Sequence, residues 1–257
     1  QGWKQRMLEI LGLAKSFGLQ TIFKNFDLTL PQGRFTVIVG PSGCGKSTLF
    51  DCLTGIVPPD QGRIMWQGNA ATHLGGLAAY MQQKDMLLPW LTLEENSLLP
   101  VQARPRTLRD MKQSKQTLAR IFERIGLTGF GAHYPYQVSG GMRQRCALSR
   151  TLMFDRDLVL LDEPLSALDA ITRRELQSLL LMLQKEFGKT VLMITHDIEE
   201  ALVLADEIIL LGPTPMTILE QFQPRASKPR DFSQPEFMET KARILSRLQT
   251  EKEKIQG

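Results

Sequence analysis

The sequence predicts an α/β fold with a largely parallel sheet. Three observations carry that reading. Short apolar or β-branched runs occur at Thr36-Val37-Ile38-Val39, Leu158-Val159-Leu160-Leu161 and Thr190-Val191-Leu192-Met193-Ile194-Thr195. They have the length and character of strands buried on both faces. From about 156 to 212, strand-like and helix-like stretches alternate, the order that yields parallel pairing. Each run also ends in chemically distinct residues: glycines, carboxylates or a histidine. The C-terminal ends of parallel strands are where such sheets place ligands.

Composition sets the outer bounds. The chain has 257 residues, 42% hydrophobic and 23% charged. That is ordinary for a globular protein, as one large domain or two intimate subdomains. The apolar runs are too short to cross a bilayer. The first residues, Gln1-Gly2-Trp3-Lys4-Gln5-Arg6, carry no apolar signal-peptide region. A net charge of +4 is mild, and a solvated surface explains it. One denser basic cluster, Arg104, Arg106, Arg109, Lys112, Lys115 and Arg120, lacks interleaved aromatics, so no nucleic-acid partner is expected. Cys44, Cys52 and Cys146 have neither metal nor redox spacing and read as reduced cytosolic thiols.

Taken in order, residues 7–35 and 60–82 hold short alternating strands such as Phe26-Asp27-Leu28-Thr29-Leu30 and Arg63-Ile64-Met65-Trp66. Between them, the strand at 36–39 runs into Gly40-Pro41-Ser42-Gly43-Cys44-Gly45-Lys46-Ser47-Thr48. Leu49, Leu53 and Ile56 follow at helical spacing. Gly-x-x-x-x-Gly-Lys-Ser between strand and helix is a phosphate-binding loop. Its glycines let backbone N–H groups approach phosphate oxygens, and the helix N-terminus adds partial positive charge. Lys46 is expected to reach the β- and γ-phosphates, and the Ser47 hydroxyl to join a Mg²⁺ shell. Cys44 reads as a small residue that fits the loop, with a regulatory thiol as the alternative.

Residues 92–150 read as mainly helical. Thr92-Leu93-Glu94-Glu95 is a capping box, and Leu118, Ile121, Phe122 and Ile125 keep helical spacing. Late in this stretch, Val138-Ser139-Gly140-Gly141-Met142 opens a basic helix. A serine hydroxyl with exposed N–H groups makes a second anion site. One chain with one nucleotide rarely needs two; two copies arranged head to tail would need both. The strand at 158–161 delivers Asp162 and Glu163. Asp162 suits the Mg²⁺ shell. Glu163, the next residue, points elsewhere and can accept a proton from an attacking water, which separates a hydrolase from a passive binder. The strand at 190–195 delivers His196, placed to sense the γ-phosphate. From Gln223 the chain is rich in Pro, Lys and Arg, and then helical: Ser233 to Glu236 form a capping box, and Phe237, Ile244, Leu245 and Leu248 an apolar face. This tail either docks on the core or meets a partner.

With these motifs in this order, nearly the whole chain resembles the ATPase subunit of ATP-binding cassette (ABC) transporters. Residues 40–48 match its Walker A motif, and Ser139-Gly140-Gly141 its signature, with Val138 where Leu is usual and Met142 where Gln is common. Residues 157–163 match Walker B with the catalytic glutamate, Ser166-Ala167-Leu168-Asp169 the D-loop, His196 the switch histidine and Gln83 the Q-loop glutamine. The resemblance implies a P-loop NTPase core with an N-terminal antiparallel β subdomain and an inserted helical subdomain. It implies an ATPase domain over 1–222 (helical part about 92–150), with a C-terminal linker and helix over 223–257.

The resemblance also implies a mechanism and partners. Two protomers, identical or homologous, would close on two ATP molecules, each held between the Walker A of one and Ser139 and Gly141 of the other. Gln83 would reach Mg²⁺ and the attacking water. Phe17 would stack on adenine where Tyr is typical, unless it is a core residue. The stretch from Gln83 to Asn96, and the tail around Pro229, Arg230 and Asp231, resemble the nitrate, sulfonate and taurine importer group. Leu87, Leu88, Pro89 and Trp90 would then seat a helix of a membrane permease, unless the chain's own core buries them. Such a subunit sits peripherally on the cytoplasmic face of the inner membrane and serves a solute-binding protein indirectly. A small anion is the cargo favoured; pyrimidine precursors are an alternative, as is a non-transport ABC ATPase.

Overall fold

The computed structural model of the chain describes residues 6–103, 108–166, 168–228, 230 and 235–256. Arg104 and Arg106 of the basic cluster, Ala167, Pro229 and Asp231, and Ser233 of the tail's expected cap lie outside the described residues.

The chain opens with β1 (Arg6–Phe17) and β2 (Gln20–Pro31), an antiparallel pair. Next come β3 (Phe35–Val39), α1 (Lys46–Thr54), β4 (Gln61–Trp66), β5 (Asn69–Ala71) and β6 (Ala78–Met81). The helical stretch is α2 (Leu93–Gln102), α3 (Leu108–Arg124) and α4 (Gly140–Leu152). Then β7 (Leu158–Asp162), α5 (Ala170–Phe187), β8 (Thr190–Thr195), α6 (Ile198–Leu204) and β9 (Glu207–Leu211) alternate, and β10 (Ile218–Phe222) and α7 (Pro235–Gln256) close the chain.

These strands form two sheets. An antiparallel one has the order β2-β1-β4-β5. The other, β10-β9-β3-β8-β7-β6, is parallel apart from its β10 edge. The central strands β3, β7 and β8 are buried at every position, and mostly apolar, because each face has its own core. Ile38, Leu160 and Ile194 point into the core shared with the antiparallel sheet and α1. Val37, Val39, Leu161 and Met193 point into the core covered by the helices. Period-two alternation between two buried faces is read in sequence as an unbroken apolar run.

Register positions the site. Val39 pairs with Thr195, and Asp162 with Ile194, so β3, β7 and β8 end nearly level. Gly40, Glu163 and His196, each the next residue along or one beyond, therefore leave the sheet at one edge. The helical stretch packs against the sheet at β6 through α4. Thr92 and Glu95 form the expected capping box at the start of α2, and Leu118, Phe122 and Ile125 are buried in the helical core.

Two expectations from periodicity need correcting. Ile56 is not on α1: the helix stops at Thr54, Gly55 takes a left-handed conformation (φ 84°), and Ile56 is exposed. Leu245 does not join the buried face of α7. Phe237 and Ile244 are buried and Leu248 packs against the same core, whereas Leu245, one residue and about 100° further round, faces outward.

The tail lies against the core through polar contacts as well. Lys228 Nζ pairs with Asp206 Oδ1 at 2.8 Å and donates to the Leu204 carbonyl at 2.9 Å. The buried Arg230 guanidinium donates to the Leu202 and Ala205 carbonyls at 2.8 and 2.7 Å. Basic groups on the last carbonyls of a helix, here α6, satisfy acceptors that have no intrahelical partner.

Candidate nucleotide site

The site begins at the N-terminus of α1. Gly45 caps it at φ 113° with no side-chain hydrogen bond, so the first N–H groups of the helix meet no side chain. Only glycine fits there: a Cβ would come within 2.5 Å of Ile22 Cγ2. The buried Lys46 ammonium donates to the Gly40 and Pro41 carbonyls at 2.9 and 2.8 Å, which curls the loop over its own lysine. Ser42 and Gly43 are exposed at the rim, and Thr48 is half-buried in the first turn of α1. Cys44 lies inside the loop and is buried; burial pushes its thiol up, against the pull of Lys46. Such a thiol is a poor nucleophile, which favours the packing role over the regulatory one.

At the end of β7, Asp162 is 2% exposed. Burial pushes its carboxyl above its ordinary value, opposed by a hydrogen bond from Ser47. Its Oδ1 is a buried atom with no hydrogen-bond partner. A desolvated carboxylate oxygen beside a serine hydroxyl and a lysine suits a hard divalent cation of the Mg²⁺ type. The donor set thus fits the ion the motif implies.

Glu163 follows in a left-handed conformation (φ 49°) that is unusual for a non-glycine residue. Its N–H bonds the Ile194 carbonyl at 2.9 Å, which ties it to β8. The turned backbone carries the carboxylate to two partners. Gln83 Nε2 donates to Oε2 at 3.1 Å, and His196 Nδ1 lies 3.2 Å from Oε1. Three residues far apart in sequence thus meet at one carboxylate. Together with the loop, the constellation can hold a polyphosphate, a cation and a water beside a base.

The second anion site expected from the sequence would be the N-terminus of α4. Ser139 is its N-cap, and its Oγ accepts from Met142 N at 3.2 Å. Ser139 and Gly140 are exposed and Gly141 half-buried. Asp169 caps α5, accepting from Ile171 and Thr172 N–H groups, which holds its carboxyl below the ordinary value. Phe17 ends β1 half-exposed, with Lys15 Nζ 5.3 Å from its ring centre, so it is not a core residue. Leu87 and Leu88 are half-buried, Leu87 against the helical core, while Pro89 and Trp90 are exposed.

Sequence reasoning missed the links between these parts. Asp85, two residues after Gln83, pairs with Arg143 at 3.1 Å, and the Asp85 and Met86 carbonyls accept from Arg150 at 2.7 and 2.8 Å. The segment after Gln83 is therefore strapped to the helix that starts at Ser139. The one available signal was Arg143 and Arg150 seven apart on α4, which puts both on one face.

Comparison with known proteins decides the family. The family model described as "ABC transporter" matches residues 23–166, more than half of the chain. The chain belongs to the ABC transporter family. As an ABC ATPase subunit it binds ATP and couples its hydrolysis to transport. Among its relatives, the taurine import ATP-binding protein TauB of Escherichia coli O157:H7 is 37% identical over 255 residues, covering 96% of this chain and 99% of the relative. The protein of the same name in Pelagibacter ubique is 38% identical over 241 residues, covering 91% and 90%. Among solved structures, the dimeric bacterial ABC transporter cassette MJ0796 aligns with a TM-score of 0.78 at 28% identity, covering 86% of this chain and all of that one. Another structure of that cassette, in a post-hydrolysis state bound to ADP and Pi, aligns at 0.75 and 27% identity, covering 86% and 100%. Among the described residues, no helix is long and apolar enough to cross a membrane.

Proposed function

We propose that this chain is the energy-coupling subunit of an importer for a small sulfonate- or nitrate-type anion. In this reading it sits peripherally on the cytoplasmic side of the inner membrane and works through a separate permease. A solute-binding protein presents the cargo to that permease. The relatives named for taurine import, which align along nearly all of the chain, support the cargo class.

One observation carries the chemical part: the Glu163 carboxylate held between Gln83 and His196, next to the buried Asp162. The loop N–H groups and Lys46 hold the β- and γ-phosphates of ATP. Phe17 stacks on adenine, for about 0.5–1.5 kcal/mol by analogy with aromatic pairs. Ser47, Asp162 and Gln83 are the residues that would hold Mg²⁺, which when bound offsets phosphate charge. Glu163 accepts a proton as a water oxygen bonds to the γ-phosphorus. The bond from that phosphorus to the bridging oxygen breaks, and ADP leaves with the electron pair. His196 and Gln83 orient the carboxylate and the water.

Ser139, Gly140 and Gly141 act on the nucleotide of a second protomer, identical or homologous, a reading supported by the exposure of Ser139 and Gly140 at the start of α4. Asp169, the N-cap of α5, adjusts the facing protomer in this reading. The exposed Trp90 beside Leu88 anchors a short permease helix. The straps from Asp85 to α4 support a path by which that helix moves Gln83 and the α4 N-terminus together. Copurification of the full chain with its permease, and cargo-stimulated ATPase activity of that complex in vesicles, test this function. Taurine, other sulfonates and nitrate form the panel. Stimulation by one of them is expected, and none by any anion would overturn the cargo class.

A further inference from the structure

Arg173 has no role in the scheme above, yet it contacts the segments that follow Glu163 and His196. It lies in the first turn of α5. Its Nη2 donates to the Leu168 carbonyl at 3.1 Å. Its Nη1 lies 3.7 Å from Asp197 Oδ2 and its Nε 3.6 Å from Glu200 Oε1. Leu168 belongs to the loop that leaves Glu163, and Asp197 directly follows His196. The guanidinium therefore bridges the segment downstream of one catalytic candidate to the segment downstream of the other.

The contacts differ in kind. The bond to Leu168 has hydrogen-bond length, whereas the two carboxylates stand at ion-pair distance only, and the Nε is buried without a hydrogen-bond partner. Neither carboxylate is free to drift. Asp197 Oδ1 accepts from the Glu199 and Glu200 N–H groups, which aims Oδ2 at Arg173. Glu200 is buried, and its Oε2 accepts from the Thr195 hydroxyl at 2.7 Å. That same hydroxyl oxygen accepts from Asp197 N at 3.1 Å. The strand end that delivers His196 is thus a rigid knot of Thr195, Asp197 and Glu200, and one cation ties the knot to the loop after Glu163.

We infer that Arg173 is a positioning residue for hydrolysis: it sets His196 against Glu163 by locking the loop at Leu168 to Asp197 and Glu200. Its planar fork reaches all three oxygens at once, which a lysine cannot do. The inference rests on the proposed roles of His196 and Glu163. It places Arg173 where a shift of the loop around Leu168, such as a facing protomer imposes, would be felt at His196.

The test is a double-mutant cycle on steady-state ATPase activity of the full chain, with ATP binding measured separately. Arg173→Met is expected to lower kcat about 2- to 30-fold, the range for coupling residues, with the Kd for ATP within twofold. Arg173→Lys should recover part of kcat. Asp197→Asn, which keeps the cap and removes the charge, should reproduce much of the loss and guards against a folding failure of Arg173→Met. In a His196→Ala background, adding Arg173→Met should cost less than twofold more. Fully additive losses would overturn the inference while leaving the role of His196 intact. A near-normal kcat for His196→Ala alone would overturn the role of His196 and the inference with it.

Discussion

The N-termini of α1 and α4, the two proposed to meet anions, are built differently. At α1 the cap is a left-handed glycine, no side chain occupies the first N–H groups, and a buried lysine stands beside them. At α4 the cap is a serine whose oxygen already accepts from the helix, with no lysine in the loop and an open face. The first carries its own counter-charge in Lys46 and, in the proposed function, binds within one chain. The second supplies a hydroxyl and a partial dipole and, in the proposed function, completes a site presented to it. On that reading the difference is that between a binding site and half of one, which would give a single chain a use for both.

Changes in the chemistry next to α1 should show the largest effects. Glu163→Gln keeps both N-termini and removes only the base. Turnover should fall about 10²–10⁴-fold with ATP affinity retained, and an ATP-bound dimer should accumulate. Single-turnover hydrolysis checks this, and near-normal rates would remove Glu163 from its role. Lys46→Ala strips α1 of its counter-charge. ATP affinity should fall about 10²–10³-fold, the cost of losing a desolvated charged contact, whatever α4 does. Titration with a fluorescent ATP analogue reads this directly, and an unchanged Kd would erase the contrast between the two N-termini.

Trp90→Ala touches neither N-terminus. It should weaken assembly with the permease about 30-fold, as losing a central aromatic anchor does, while ATP binding by the isolated chain stays the same. Intact assembly and transport would return Trp90 to ordinary surface.

The smallest effect concerns stability. Burial holds the Asp162 carboxyl above its ordinary value. The folded state therefore carries a penalty for the ionised form at neutral pH, which fades as pH falls through the raised folded value toward about 3.9, the unfolded value. Without nucleotide and Mg²⁺, Asp162→Asn should raise Tm by about 2–4 °C at pH 7, and the gain should shrink toward pH 4. A lower Tm at pH 7 would mean that Asp162 is held by partners rather than strained by burial.

Much of this was legible in the sequence, for a physical reason. Loop glycines, strand-end carboxylates and His196 are fixed to regular elements whose ends can be read from periodicity. Ile56 was misread because Leu49 and Leu53 set a period that Gly55 breaks, and a glycine at that point is a stop signal. Leu245 was misread because Ile244 beside it left the face of α7 ambiguous. The straps through Asp85, the bridge at Arg173 and the clamp of Lys228 and Arg230 left almost no trace. They join long polar side chains across segments far apart in the chain, and no local pattern announces a partner that distant. The left-handed turn at Glu163 was equally silent, since nothing in its residue type requires it.

The central claim is that the α4 N-terminus acts on a nucleotide held by another protomer. In the Glu163→Gln background, Ser139→Asp keeps a good helix cap and points a negative charge at that nucleotide. Size-exclusion chromatography with light scattering, with and without ATP, reads the result. The account predicts that ATP dimerises Glu163→Gln and leaves the double variant monomeric, with both binding ATP within twofold of each other. An ATP-induced dimer in the double variant, or a matching loss of ATP affinity in its monomer, would contradict it.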